Sequence, residues 1–217
     1  MKIVFDFDHT LFSTRKFYQA LVNSFGALGV KESLFQKTFK KSKGKSQDYK
    51  PYRQFKLIVK EKPELNPKKL EKLFKKAFSR SKHFLYSDVL PFFKKKKGSL
   101  DFILLSYGED WFQREKIKTS KIEKYFKKII ITQDIDKVKP LKKILQDKEK
   151  IVFIDDNPKA LYEIKKTNDK KKSNPEIITI RMNRGEGRYA KSPNNSKIDF
   201  SIKSLKELEK ILNSLQK

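Results

Sequence analysis

The chain has 217 residues, of which 37% are hydrophobic, and it carries a formal net charge of +27 at pH 7. Its length suits one domain with an insertion, and its apolar content is sufficient for a packed core. It contains no cysteine, which excludes disulfide bonds and thiolate catalysis, and no apolar run approaches the roughly 18 residues of a transmembrane helix.

The first predicted element is a strand that begins at the N-terminus, so we expect no signal peptide. Together with the lack of cysteine, this predicts a cytoplasmic protein without a membrane partner. The positive charge comes from 46 lysines and only 7 arginines, spread over nearly the whole chain. This pattern favours compositional drift over a nucleic-acid surface, because base readers rely more on arginine. The positive field would still attract an anionic substrate.

Five short, β-rich runs are almost continuously apolar. This pattern is typical of strands buried on both faces of a parallel sheet. The runs are Ile3–Phe7, Phe102–Ser106, Lys128–Thr132, Ile151–Asp155 and Ile177–Arg181.

Helical patterns alternate with the later strands. They cover residues 109–126, 137–147 and 157–168, and leucines at helical spacing occupy Ser204–Leu215. The alternation predicts an α/β fold with a Rossmann-like parallel sheet of about five strands and helices on both faces. A polar loop is predicted over 168–175.

Residues 14–85 interrupt this alternation. Apolar residues recur there at three- and four-residue steps, as in Phe17, Leu21 and Phe25, and the stretch contains no convincing strand. We therefore predict an all-helical segment inserted directly after the first strand.

The most informative stretch follows the first strand, where Asp6 and Asp8 stand two residues apart. In an extended backbone, such residues point to the same side, so the two carboxylates are expected to converge. Carboxylates that lie so close repel each other unless a cation or a shared proton lies between them. The pair predicts a site that holds a hard metal ion, performs acid–base chemistry, or does both.

Three further motifs lie at the C-terminal ends of predicted strands or in the loops beyond them. Open α/β sheets bind ligands at this edge. The motifs are Ser106 before Tyr107-Gly108, Lys139 at the start of a helix, and the pair Asp155-Asp156. Lys137 is a rival to Lys139, since both lie in the same loop, and Ser106 taken alone is equally suited to capping the next helix.

In this order, the four motifs resemble those of the haloacid dehalogenase-like (HAD) superfamily of phosphohydrolases. The resemblance covers roughly 1–13 and 86–205, and the helical segment looks like the C1-type cap of that family. It implies a Rossmann-like catalytic core over 1–13 and 86–217, and a cap over 14–85.

The resemblance also implies roles for the acidic residues. Asp6 would be the nucleophile that forms an aspartyl-phosphate, and Asp8 would protonate the leaving alkoxide and then deprotonate water. Mg²⁺ would be held by the Asp6 carboxylate, the Asp8 backbone carbonyl and Asp156. Asp155 would orient the site lysine or a metal-bound water from behind.

A phosphate-binding set follows from the same resemblance. Ser106 would donate its hydroxyl to a phosphoryl oxygen, and Lys139 would neutralise charge on Asp6 and the phosphate. Thr10 and the backbone near Tyr107 would contact the substrate as well.

Residue 8 discriminates within the family, because the ATPase branch has Thr there and the dehalogenase branch lacks the acid. Asp8 therefore predicts a Mg²⁺-dependent phosphatase that acts on a small phosphorylated metabolite. A phosphomutase acting on a sugar phosphate would use the same residues. A nucleic-acid-associated phosphatase or binder is the alternative that the positive charge suggests.

Overall fold

A sheet of six parallel strands lies at the centre of the computed structural model, which describes residues 1–44, 48–135, 137–142, 144, 149–169 and 175–215. The strands are β1 (Lys2–Phe5), β2 (Asp101–Tyr107), β3 (Lys128–Thr132), β4 (Ile151–Asp155), β5 (Ile177–Met182) and β6 (Phe200–Ile202). Their order is β3-β2-β1-β4-β5-β6. The order therefore reverses at β1, and ligands of open α/β sheets bind beside such a reversal.

The predicted α/β class with a parallel sheet is confirmed, and all five predicted strands are present. β1 ends at Phe5, two residues earlier than predicted. The prediction missed β6, because this strand has three residues and two of them, Phe200 and Ser201, are exposed. A strand of three residues is too short to form an apolar run that the sequence would reveal.

Each face of the sheet is buried under its own layer. Along β1, Ile3 and Phe5 belong to one hydrophobic cluster, whereas Val4 belongs to another that also contains Ile151 and Phe153 of β4. Successive side chains of a strand point to opposite faces. Burial on both faces therefore explains why the strand sequences are apolar throughout instead of alternating.

Between β1 and β2 the described residues form helices and no further strand of the sheet. The helices are α1 (Thr14–Gly26), α2 (Glu32–Ser42), α3 (Pro51–Glu61), α4 (Pro67–Ser79), a 3₁₀ helix (Ser81–Phe84) and α5 (Val89–Lys96). The Ser13 hydroxyl accepts the Lys16 amide and so caps α1, while Pro67 occupies the first turn of α4. We call residues 14–84 the helical segment.

The chain enters and leaves the helical segment at one place. The Ser13 amide donates to the Phe84 carbonyl at 2.7 Å, and the Tyr86 amide donates to the Leu11 carbonyl at 3.1 Å. One hydrophobic cluster nevertheless runs from β1 into the helical segment through Phe12. The division into a core over 1–13 and 86–217 and a cap over 14–85 therefore stays a prediction.

Four helices follow the later strands. They are α6 (Asp110–Thr119), α7 (Val138–Lys142), α8 (Pro158–Asp169) and α9 (Leu205–Leu215). The helix predicted over 109–126 is interrupted, because Lys121 adopts a left-handed φ of 62° before a short 3₁₀ helix at Glu123–Tyr125.

Two predictions lie partly outside the described residues. Of the helix predicted over 137–147, residues 143 and 145–147 lie outside the described residues. Of the polar loop predicted over 168–175, residues 170–174 do. Among the helices that are described, none is both long and apolar enough to cross a membrane.

Candidate active site

Three carboxylates meet at the C-terminal edge of the sheet. Asp6 follows β1, and its amide donates to the Ile154 carbonyl of β4 at 2.8 Å, which places it beside Asp155 and Asp156. One carboxylate oxygen from each of Asp6, Asp155 and Asp156 lies within 4.8 Å of the others. Residues about 150 positions apart are thus brought together by the parallel pairing of β1 and β4. We call these three residues the acidic cluster.

A buried lysine lies against the acidic cluster. The Lys137 ammonium donates to Asp6 Oδ1 at 2.5 Å and to Asp155 Oδ2 at 2.7 Å. Asp155 is held further by the Asn157 amide, which donates to Asp155 Oδ1 at 2.8 Å. Asp155 is therefore bonded to Lys137 and not to Lys139, and its role in orienting the site lysine stays a prediction.

The choice of Lys139 as the site lysine is corrected here. Lys137 is 3% exposed and makes both contacts, whereas Lys139 is exposed on α7. The physical reason is the backbone at Lys137, which has a left-handed φ of 56° just before the helix begins. Such a conformation is unusual for a residue other than glycine, and spacing alone does not predict it.

The acidic cluster carries more negative charge than its lysine offsets. Burial raises the pKa of Asp6 to about 7, although Lys137 opposes the rise, and the Asp155 carboxylate adds to it. Burial, together with the charges of Asp155 and Asp6, raises the pKa of Asp156 well above its usual range. Lys137 keeps its proton, because its two carboxylate partners outweigh burial and raise its pKa.

These residues fit a hard divalent cation. Crowded carboxylate oxygens are the ligands that such ions prefer. A bound cation would offset both the burial of these carboxylates and the repulsion between them, which together raise their pKa values. The candidate ligands are the Asp6 and Asp156 carboxylates, with Asp155 already engaged by Lys137 and the Asn157 amide.

Asp8 lies in a different environment, although only one residue separates it from Asp6. Both of its carboxylate oxygens accept from the Lys116 ammonium, at 2.6 and 2.8 Å. The Thr14 hydroxyl donates to Oδ1 at 2.6 Å, and the Gln113 amide donates to Oδ2 at 2.7 Å. Burial would raise the pKa of Asp8, but Lys116 and these hydrogen bonds outweigh it, so the pKa is lowered.

Lys116 pairs with Asp8 as Lys137 pairs with Asp6. It is 1% exposed and lies 4.8 to 5.4 Å from the centroids of Phe7, Phe12 and Phe112. Burial among these rings lowers its pKa more than Asp8 raises it. Even so, an ammonium held by a carboxylate and three ring faces is a strongly bound charge.

The sequence prediction missed Lys116, Gln113 and Thr14. The sequence did contain a pattern that could have indicated two of them, because α6 buries Gln113 and Lys116 on the same face as Phe112 and Ile117. Polar residues three apart on an otherwise apolar helix face indicate a buried partner. What the sequence does not reveal is that this partner is Asp8, 108 positions away.

Ser106 and Thr10 are fully buried, and among the described residues their hydroxyls have no hydrogen-bond partner. Ser106 lies in β2, next to β1, while the Thr10 carbonyl accepts from Arg184 at 3.1 Å. Neither residue lines the cavities described next, so their roles in binding substrate stay predictions. Tyr107 lines both cavities.

Two cavities meet at Asp8, His9 and Tyr107. The acidic cavity, about 270 Å³, contains the acidic cluster and Lys137 together with Lys43, Ile135, Asn157, Arg188 and Tyr189. The aromatic cavity, about 220 Å³, lies between the helical segment and α6 and is lined by Thr14, Phe17, Tyr18, Leu21, Phe39, Asp48, Tyr49, Gly108, Glu109, Phe112, Gln113 and Lys116. A ligand that spans both cavities would pass Asp8.

Gly108 makes the close packing around Asp8 possible. Its φ of 141° is rarely adopted by other residues, and a Cβ there would lie 2.8 Å from the Gln113 amide nitrogen. That nitrogen donates to the Tyr107 carbonyl at 2.6 Å as well as to Asp8. A side chain at position 108 would therefore displace a donor from Asp8.

The chain matches the family model described as haloacid dehalogenase-like hydrolase over residues 3–168. No curated protein matches it significantly.

Solved structures share its fold at low identity. YfnB from Bacillus subtilis, described as a HAD-hydrolase bound to magnesium, is 16% identical with a TM-score of 0.66, and 98% of each chain is covered. A predicted phosphoglycolate phosphatase from Haemophilus somnus is 14% identical, with a TM-score of 0.58 and 97% of each chain covered. L-2-haloacid dehalogenase from Xanthobacter autotrophicus is 13% identical, with a TM-score of 0.60 and 98% of each chain covered.

Proposed function

Because the chain belongs to the haloacid dehalogenase-like hydrolase family, we propose that it is a Mg²⁺-dependent phosphatase that cleaves phosphate monoesters of small molecules. The observation that carries the proposal is the acidic cluster beside Asp8 at the C-terminal edge of the sheet.

The acidic cluster favours a phosphate ester over a haloacid. A phosphoryl group carries negative charge on three oxygens, so its reaction with a carboxylate needs a cation between them. Displacement of a halide from carbon has no such need, because the leaving group departs as a stable anion without a proton. The crowded carboxylates and the acid at position 8 therefore suit phosphoryl transfer.

In the first step, an Asp6 oxygen attacks phosphorus and the bond from phosphorus to the ester oxygen breaks. Asp8 gives its proton to the leaving alkoxide. In the second step, Asp8 takes a proton from water, which attacks the aspartyl-phosphate and releases phosphate and the Asp6 carboxylate. Bound Mg²⁺, held by Asp6 and Asp156, would neutralise the phosphoryl oxygens.

Asp8 has to change partners to play this part. In the structure it accepts hydrogen bonds as a carboxylate from Lys116, Thr14 and Gln113. A carboxylate whose pKa is lowered in this way holds no proton to donate. Before the first step, the Asp8 side chain must therefore leave Lys116, take up a proton from water and turn towards the leaving oxygen. Asp8 lines both cavities, so its side chain can face a leaving oxygen at their junction.

The test is hydrolysis of p-nitrophenyl phosphate by the purified protein. We expect turnover with Mg²⁺, loss of turnover with EDTA, and recovery when Mg²⁺ is added back. Release of chloride from 2-chloropropionate without phosphatase activity would show that the proposal is wrong and that the protein is a dehalogenase.

A further inference from the structure

We propose that the aromatic cavity binds the leaving group of the substrate, and that this group is a flat ring without negative charge. The inference rests on the proposed function and concerns the substrate class. It starts from the residues that the two cavities share: because Asp8 lines both, a substrate with phosphorus in the acidic cavity can extend its leaving group past Asp8 into the aromatic cavity.

The walls of the aromatic cavity are rings that pack on one another. Phe39 and Tyr49 have centroids 4.6 Å apart, Tyr18 and Phe39 5.0 Å, and Tyr49 and Phe112 5.3 Å. Tyr18 lies in α1, Phe39 in α2, Tyr49 in the loop before α3 and Phe112 in α6, so the helical segment and the sheet side contribute together. Surfaces of this kind stack on flat rings by offset or edge contacts.

Tyr49 offers the ligand chiefly its ring. Its hydroxyl donates to the Gln54 side chain at 2.5 Å, and the Gln54 amide nitrogen donates in turn to the Phe35 carbonyl at 3.1 Å. These buried contacts fix the tyrosine. Leu21, Phe17 and Phe112, each at most 8% exposed, complete the apolar wall.

The size of the cavity fits one ring. An apolar cavity of about 150 Å³ holds benzene. The aromatic cavity, at about 220 Å³, is larger than that and has room for one ring with a substituent. A ring buried there would gain the hydrophobic free energy of leaving water.

The charges around the aromatic cavity disfavour an anionic leaving group. Its lining carries the carboxylates of Asp8, Asp48 and Glu109. The one lining lysine among the described residues is Lys116, and Asp8 occupies it. Lys50 lies 3.3 Å from Asp48 and 3.0 Å from Glu109, so it offsets those two. The other basic residue of the lining, His9, has its Nδ1 3.4 Å from a Glu186 carboxylate oxygen. No lysine or arginine of the described lining is therefore left to receive a second carboxylate or phosphate.

The experiment compares unactivated alkyl phosphates that differ in the leaving group. With Mg²⁺, we expect kcat/KM for benzyl phosphate to exceed that for phosphoglycolate and for glycerol phosphate by about 10- to 200-fold, the discrimination that a hydrophobic pocket gives. Equal values, or a preference for phosphoglycolate, would overturn the inference. Acetyl phosphate, which is activated and has no ring, tests the chemistry separately.

The acetyl phosphate result separates the two proposals. Hydrolysis of acetyl phosphate without a preference for benzyl phosphate overturns only the ring inference. Failure to hydrolyse acetyl phosphate, benzyl phosphate and p-nitrophenyl phosphate alike overturns the proposed function, and the ring inference with it.

Variants locate the preference in the cavity. Phe39→Ala removes a partly buried ring of the wall and should bring the ratio of kcat/KM for benzyl phosphate over glycerol phosphate close to one. Tyr52→Ala is the matched control, because Tyr52 is 47% exposed on the helical segment and lines neither cavity. This variant should keep the ratio of the unmodified protein.

Inhibition of the unmodified protein tests the same inference without a variant. Benzylphosphonate should inhibit competitively and at least tenfold more tightly than methylphosphonate. Equal inhibition by the two compounds would contradict the inference.

Discussion

Asp6 and Asp8 stand on either side of one phenylalanine, yet their carboxylates lie in opposite electrostatic surroundings. Asp6 shares a buried lysine with Asp155 and lies close to Asp156, so within the described part of the chain three carboxylates face one ammonium. Asp8 has Lys116 to itself and two further donors. The pKa of Asp6 is raised to about 7, whereas the pKa of Asp8 is lowered.

The difference separates a site where carboxylates outnumber ammonium groups from one where a single carboxylate pairs with a single ammonium. Like charges held close together in a protein persist where a ligand or metal compensates them. A carboxylate with a full set of donors is instead stable as it stands. Our proposal therefore places the cation and the nucleophile in the acidic cluster, and it gives Asp8 the role of proton carrier.

The largest expected effect comes from Asp6→Asn. The amide keeps the shape of the side chain but cannot attack phosphorus, so activity on p-nitrophenyl phosphate should fall at least about a thousandfold. Steady-state kinetics with Mg²⁺ measure it, and circular dichroism checks that the variant is folded. A variant with full turnover would move the nucleophile elsewhere.

On the Asp8 side, Lys116→Met should lower the free energy of unfolding by about 3–5 kcal/mol, because it leaves a buried carboxylate without its partner. Urea unfolding measures this. The double variant Lys116→Met with Asp8→Asn removes both charges and should recover most of the loss. If the double variant were no more stable than the single one, the lysine would be acting through its packing and not through its pairing with Asp8.

The two lysines of the α7 loop should differ in activity. Lys137→Met removes a donor from the reacting carboxylate and should reduce kcat about a hundredfold. Lys139→Met changes an exposed residue and should alter kcat by less than about twofold. The opposite ranking would return Lys139 to the site.

The smallest expected effect is a gain in stability from Asp156→Asn. Without Mg²⁺ the free energy of unfolding should rise by about 1 kcal/mol, because a neutral amide avoids both the burial and the repulsion that raise the pKa of Asp156. Stabilisation by added Mg²⁺, measured as a shift in melting temperature, should be lost. Asp110→Asn, an exposed control on α6, should keep that shift. A Mg²⁺ shift unchanged in Asp156→Asn would place the metal elsewhere.

The sequence predicted the sheet, and it placed Asp6 and the pair Asp155-Asp156 at one edge of the sheet, because both depend on local signals. It also led us to expect the Asp6 and Asp8 carboxylates to converge, whereas Asp8 pairs with Lys116 instead. Apolar runs mark strands that are buried on both faces, and acids at their ends follow from the topology. The sequence did not reveal which lysine turns inwards, because that depends on a left-handed backbone at Lys137. Nor did it reveal Lys116, whose role depends on a partner 108 positions away. The aromatic cavity likewise arises only when the helical segment packs on α6.

The most direct test of the account is to find the phosphoryl group on the enzyme. The protein is mixed with p-nitrophenyl phosphate and Mg²⁺, quenched with acid during turnover, and its peptides are analysed by mass spectrometry. We predict a hydroxylamine-labile phosphoryl group on the peptide that contains Asp6, and none in Asp6→Asn. Turnover without a phosphorylated peptide, or with the group on another residue, would contradict it.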